Sequence, residues 1–230
     1  MGYCESGTMM KLISDRNGVR IEVSKIITYF CQLMDAIKHC HAKKLIHKDI
    51  KVSQFGFKYS DKFSKPDNLM LTKNGEILQL GDFGLSQVQE HSAKSMRTVD
   101  PDGFAAYLAP ELLKLPEVDS NGEYGLKYDH KVDIWSCGAI LYELFHLRMM
   151  WFKWPPKPLP RGLVHHLIRG RVLANEHEQF APECPAAIKR LVQQSCDQLP
   201  ANRPEAFELL DQAAEIKELI EIGQNSNKPQ

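Results

Sequence analysis

The stretch Pro66-Asp67-Asn68-Leu69-Met70-Leu71-Thr72-Lys73-Asn74-Gly75-Glu76-Ile77-Leu78-Gln79-Leu80-Gly81-Asp82-Phe83-Gly84 sets two short apolar runs on either side of an Asn-Gly pair. Asn and Gly tolerate the positive φ of a tight reversal, so this pattern predicts a β-hairpin. A hairpin brings its two open ends together. Asn68 enters it and Asp82 leaves it, so a side-chain amide and a carboxylate are expected side by side. Hard oxygen donors of this kind suit Mg²⁺.

Upstream, Ile26, Ile27, Phe30, Leu33, Met34, Ile37 and Cys40 recur at helical spacing, which predicts a long, largely buried helix over 22–43. It leads into Ile46-His47-Lys48-Asp49-Ile50-Lys51, a polar stretch carrying a second carboxylate and an ammonium. Phosphoryl transfer needs this set: a carboxylate to orient the attacking hydroxyl, oxygen ligands for Mg²⁺ and a cation for the migrating charge. Downstream, 81–129 is rich in Ser, Gly, Asp and Pro and reads as an extended functional loop. A core helix apolar nearly all round follows over 132–147, then a proline-rich wedge loop over 151–160. Helical patterns cover 162–169, 185–196 and 204–222, and the polar tail 223–230 is expected to be disordered. The fold class is mainly α with one small β-hairpin, which must lie on the helices because it is too small to stand alone.

The bulk properties are those of one globular domain: 230 residues, 43% hydrophobic and 25% charged. Lys+Arg and Asp+Glu are both 29, so no net charge draws the chain to nucleic acid or to an anionic membrane. The six cysteines have no metal-ligand spacing, and most fall inside apolar helical patterns, which implies reduced thiols and an intracellular setting. No stretch is long and apolar enough for a membrane span. Met1-Gly2-x-x-x-Ser6 fits a myristoylation pattern formally, but no basic second signal accompanies it.

Together these motifs resemble the C-terminal lobe of a eukaryotic protein kinase. His47-Lys48-Asp49 with Asn68 is similar to the catalytic loop, Asp82-Phe83-Gly84 to the D-F-G motif and Ala109-Pro110-Glu111 to A-P-E. Val132-Asp133-Ile134-Trp135-Ser136 resembles the family's central buried helix, and Asn202-Arg203-Pro204 its late arginine. Asp49-Ile50-Lys51 is of the serine/threonine type, and Leu80 to Ser86 resembles the NIMA-related group. The resemblance implies ATP and Mg²⁺ as cofactors and a protein substrate. Asp49 would orient the hydroxyl, Lys51 would neutralise the γ-phosphate, and Asn68 and Asp82 would hold the metal. Met70 would lie under adenine, with Cys4 in the hinge beside it. His47, Phe83, Glu111, Asp133 and Arg203 would be structural: the first two as core residues, Glu111 with Arg203 as a buried ion pair, and Asp133 as acceptor for catalytic-loop amides.

The chain departs from the family pattern in three places. Residues 1–7 resemble the hinge between lobes, so the Gly-rich loop and the V-A-I-K lysine are not in this sequence, and an N-lobe is expected to be missing from a domain over 1–222. Asp49 and Asn68 are separated by an insertion at 52–65, without which the family spacing returns. Val52-Ser53 can be encoded as an intron donor and Lys65 can end in AG, so the insertion reads as a retained short intron or, alternatively, as a genuine solvent-exposed loop; either way it puts Lys51 in doubt. Phe104 stands where the family places a small hydroxyl residue, and Lys48 replaces the usual arginine, giving a point charge without a fork for an activation-loop phosphate on Ser92, Ser95 or Thr98. The expectation is a serine/threonine kinase fragment, cytoplasmic or nuclear and inactive alone. The alternative is a non-catalytic binding or scaffold module that meets a partner protein on its exposed lobe interface.

Overall fold

The computed structural model describes residues 7–16, 18–52, 68–88, 93–95, 104–114, 117–118, 124–153 and 160–226. Cys4, nearly all of the insertion at 52–65 and the side chain of Phe104 lie outside these described residues.

The core is built on two helices. α2 (Val23–Ala42) buries Ile26, Ile27, Tyr29, Phe30, Leu33, Met34, Ile37 and Cys40, the stripe its periodicity predicts. α4 (Lys131–His146) buries every residue from Lys131 to Phe145. Its Gly138 lets the chain approach closely, because a Cβ there would stand 2.5 Å from the Cβ of Ser195, at the end of α6 (Ala186–Ser195). Trp135 of α4 stacks on Trp151 at 5.2 Å, so the wedge after α4 reaches the core through an aromatic anchor.

α7 (Ala206–Ser226) starts beside Lys38 and His41 and passes Cys31 at Lys217, so it runs antiparallel to α2. Ile216 and Ile220 pack on the core along the way. The disorder expected from 223 does not begin there: the helix continues through Gly223 to Ser226, on exposed residues beyond Ile220.

The hairpin is β2 (Leu69–Thr72) and β3 (Ile77–Leu80), with Leu69 opposite Leu80 and Thr72 opposite Ile77. Asn74 and Gly75 take φ of 57° and 83°, the conformation their residue types allow most cheaply. Side chains of α2 hold the turn down. Tyr29 donates to the Gly75 carbonyl, and Gln32 donates to the Glu76 carbonyl at 3.1 Å while accepting from the Leu78 amide at 2.7 Å. Residues 7 and 8, just ahead of α1 (Met9–Ser14), add an edge, with Leu71 N donating to Gly7 O at 2.9 Å and Thr8 bridged to Met70.

Two further small sheets correct the expectation of a single hairpin and of an extended loop throughout 81–129. β1 (Leu45–Ile46) pairs antiparallel with β4 (Gln87–Val88). β7 (Tyr124–Tyr128) lies between β5 (Ala93–Ser95) and β6 (Glu117–Val118). Short 3₁₀ turns at Phe83–Leu85 and Phe104–Tyr107, then α3 (Pro110–Leu113), complete this region. α5 (Arg161–Ala174) follows the proline-rich segment and runs past the 162–169 pattern to Asn175, which caps it at φ 57°.

Candidate active site

The hairpin fixes the site. Across its open end Gly81 N donates to Asn68 O at 2.8 Å, so the residues flanking the two strands are neighbours whatever chain precedes them. Gly81 lies close under Met70: a Cβ there would stand 2.6 Å from the Met70 Cε, so the methionine tip would have to shift.

Asn68 is 1% exposed, and its amide does two different things. Nδ2 donates to Asp49 Oδ2 at 2.8 Å and to the Asp49 carbonyl, whereas Oδ1 is buried without a hydrogen-bond partner. Lys51 brings its ammonium to both carboxylate oxygens of Asp49 at 2.8 Å, and both side chains are largely buried. Lys51, which the insertion put in doubt, therefore stands with Asp49 and Asn68 in one cluster. Val52, the first residue of the insertion, is itself buried in the core.

The loop carrying Asp49 hangs from Asp133. This carboxylate is fully buried and accepts from His47 N at 2.9 Å, from Lys48 N at 2.8 Å and from the His41 ring at 2.9 Å. His47 is also fully buried. Its Nε2 faces the Gly81 carbonyl at 3.1 Å, an acceptor only, so Nε2 bears the proton and Nδ1 is left for the Asp49 amide at 3.4 Å. Burial holds this imidazole below its usual pKa, against the pull of Asp133.

Asp82 is exposed, with φ 58° and ψ 76°, and accepts from Gly84 N at 3.2 Å. Lys48, on the other side of the site, has φ 66°. Left-handed backbone at non-glycine residues costs free energy and persists where the surroundings enforce it, often at functional sites. Phe83 corrects an expectation: it is 46% exposed rather than a core residue. Its ring meets that of His47 at 4.7 Å in a tilted arrangement, and the residue borders an open cavity of about 1260 Å³ that also touches Asp82, Gly81, Met70 and His39.

Away from the cluster, Arg203 is 1% exposed and forks onto Glu111, NH1 to Oε1 at 2.7 Å and NH2 to Oε2 at 2.9 Å. Its Nε donates to Asp197 O at 2.8 Å, and the guanidinium lies over Trp135. Four side chains that the sequence did not single out also support the site. They are His41 on Asp133, Ser86 on the His47 carbonyl, and Gln87 with Tyr128 on the Lys48 ammonium. Their partners lie 39 to 92 residues away, so no local pattern marks them.

The donors present fit Mg²⁺. Asn68 Oδ1 is a buried hard oxygen that lacks a partner, and the Asp82 carboxylate follows directly on the hairpin's closing bond. A carboxylate, an ammonium, an amide and a second carboxylate, gathered round one hairpin, are a phosphoryl-transfer set. The protein kinase domain profile matches residues 1–213.

The chain belongs to the protein kinase family. It is similar to serine/threonine-protein kinase Nek5 of Mus musculus, 29% identical over 210 residues, which is 91% of this chain and 28% of that protein. Nek5 of Homo sapiens is 34% identical over 148 residues, covering 64% of this chain and 17% of the relative. Nek1 of Mus musculus is 28% identical over 211 residues, 92% of this chain and 14% of the relative. The kinase domain is thus NIMA-related-like and, by family, of the serine/threonine class, and it spans less than a third of the length of these relatives. Among the described residues no helix is long and apolar enough to cross a membrane.

Proposed function

We propose that this domain serves transfer of the ATP γ-phosphate to serine or threonine hydroxyls of a protein substrate. The observation that carries the reading is the divided amide of Asn68, whose nitrogen holds Asp49 while its buried oxygen has no partner. In this reading Asp49 orients the substrate hydroxyl and receives its proton. Lys51, already on Asp49, offers its ammonium to the transferring phosphoryl group. Asn68 Oδ1 and Asp82 hold Mg²⁺, which when bound neutralises the phosphate oxygens. Met70, in β2, forms the floor under adenine.

The 230-residue chain contains no Gly-rich loop and no V-A-I-K lysine. Without those groups on the α- and β-phosphates, much of the positioning that drives the reaction is lacking. We therefore expect the chain alone to bind Mg²⁺ and to transfer phosphate below detection. The test pairs radiolabel transfer from ATP to a generic protein substrate with Mn²⁺ binding, read by electron paramagnetic resonance. Metal binding lost in Asn68→Ala and in Asp82→Ala supports the site, and metal binding unchanged by both substitutions overturns it. Transfer that is abolished by Asp49→Asn would overturn the expected inactivity while supporting the reaction.

The exposed apolar side chains Phe83, Leu85 and Val88, beside Asp82, favour a second reading, a binding module that uses this face for a partner protein. Partner capture that survives Asp49→Asn and Asp82→Ala would select it.

A further inference from the structure

Lys48 sits between His47 and Asp49, and its left-handed backbone sends its side chain away from the Asp49 cluster. Its ammonium meets Gln87 Oε1 at 3.1 Å and Tyr128 OH at 3.4 Å, and it lies 5.7 Å from the centre of the Tyr128 ring. Tyr128 donates its hydroxyl proton to Gln87 Oε1 at 2.7 Å, which leaves the phenol oxygen's lone pairs for Lys48. Gln87 Oε1 thus accepts from both Lys48 and Tyr128. Among the described residues the hydrogen-bond partners of the Lys48 ammonium are both neutral.

The three residues come from three separate parts of the chain. Lys48 follows β1, Gln87 opens β4 opposite Ile46, and Tyr128 ends β7 opposite Ala93 of β5. The triad thus ties the catalytic loop to both β-pairs that order the segment after Asp82. An aromatic face and two neutral oxygens solvate the ammonium where it is partly buried, so it needs no counter-ion to stay there.

We propose that Gln87 and Tyr128 are positioning residues that hold the segment after Asp82 on Lys48 through neutral hydrogen bonds, so that its placement does not depend on a phosphate on Ser92, Ser95 or Thr98. This rests on the kinase reading for its meaning, but its test does not require catalysis. The full chain is produced with a phosphatase and shown by intact mass to carry no phosphate, and amide exchange is followed at 45–46, 87–88, 93–95 and 126–128. Slow exchange is expected in the unphosphorylated chain. Gln87→Ala and Tyr128→Phe should each raise it about tenfold at these amides, while α2 and α4 stay protected and Lys48→Arg retains the protection. Protection that appears only after phosphorylation of Ser92, Ser95 or Thr98, or that is indifferent to both Gln87→Ala and Tyr128→Phe, overturns the proposal. Metal binding indifferent to Asn68→Ala and Asp82→Ala, with this exchange pattern intact, would defeat the kinase-site reading and leave the triad standing.

Discussion

Asp133→Asn changes no shape and removes one acceptor, which makes it a sharp probe of how the catalytic loop is held. The native carboxylate accepts from three donors, the His47 and Lys48 amides and the His41 ring, from a fully buried position. In the asparagine, one oxygen becomes an NH₂ group. Its cheaper placement is at Oδ1, facing only the Lys48 amide at 2.8 Å, since Oδ2 serves two donors. That leaves one buried backbone N–H unpaired, at about 1–3 kcal/mol. The two surviving bonds lose their charge assistance, which halves their strength roughly. We expect about 3 kcal/mol of lost stability in all, a large part of a domain's usual total of about 5–15 kcal/mol. Urea unfolding with an unchanged slope should report it, and amide exchange should quicken at Lys48 first. A loss under about 1 kcal/mol, or unaltered exchange at 47–48, would refute the view that Asp133 carries the loop.

Other perturbations probe other parts of the molecule. Glu111→Ala strands the Arg203 guanidinium in the core and should cost about 3–5 kcal/mol in urea unfolding, whereas replacing both partners with well-packed apolar residues should recover most of that loss. Burial holds His47, His146 and His165 below the usual imidazole pKa. The unfolded chain therefore takes up protons first, so stability is fully present above about pH 6.5 and declines as the pH falls below it; a urea midpoint that holds from pH 7.5 to 5.5 would contradict this. Ending the chain after residue 213 removes the part of α7 over Cys31, whose thiol burial pushes up, and should speed the reaction of Cys31 with a thiol reagent relative to Cys184.

What was legible in the sequence is what local pattern encodes. The Asn-Gly reversal and the two apolar strands gave the hairpin, and with it the meeting of Asn68 and Asp82. The stripe on α2 and the unbroken apolar run of α4 gave the core. The region after Asp82 was not legible, because its strands are two to five residues long and their partners lie far off: Leu45 pairs with Val88, and Ala93 with Tyr128. A two-residue strand has no period to detect. The half-exposed Phe83 escaped for a related reason, since a residue type shows what is favourable to bury but not whether another surface reaches it. The environment of Lys48 was hidden as well. Its substitution for arginine was plain in the sequence, but the glutamine and tyrosine that receive it come from two other strands.

The bond from Gly81 to Asn68 also matters for protein engineering. Because the hairpin closes on itself, the spacing of Asn68 and Gly81 is set by the ladder and not by the length of chain between Val52 and Asn68. A reporter or an affinity handle inserted in that interval is therefore expected to leave the closing bond from Gly81 to Asn68 intact. Cargo placed in the tight turn at Asn74 would instead break the element that brings the two ends together.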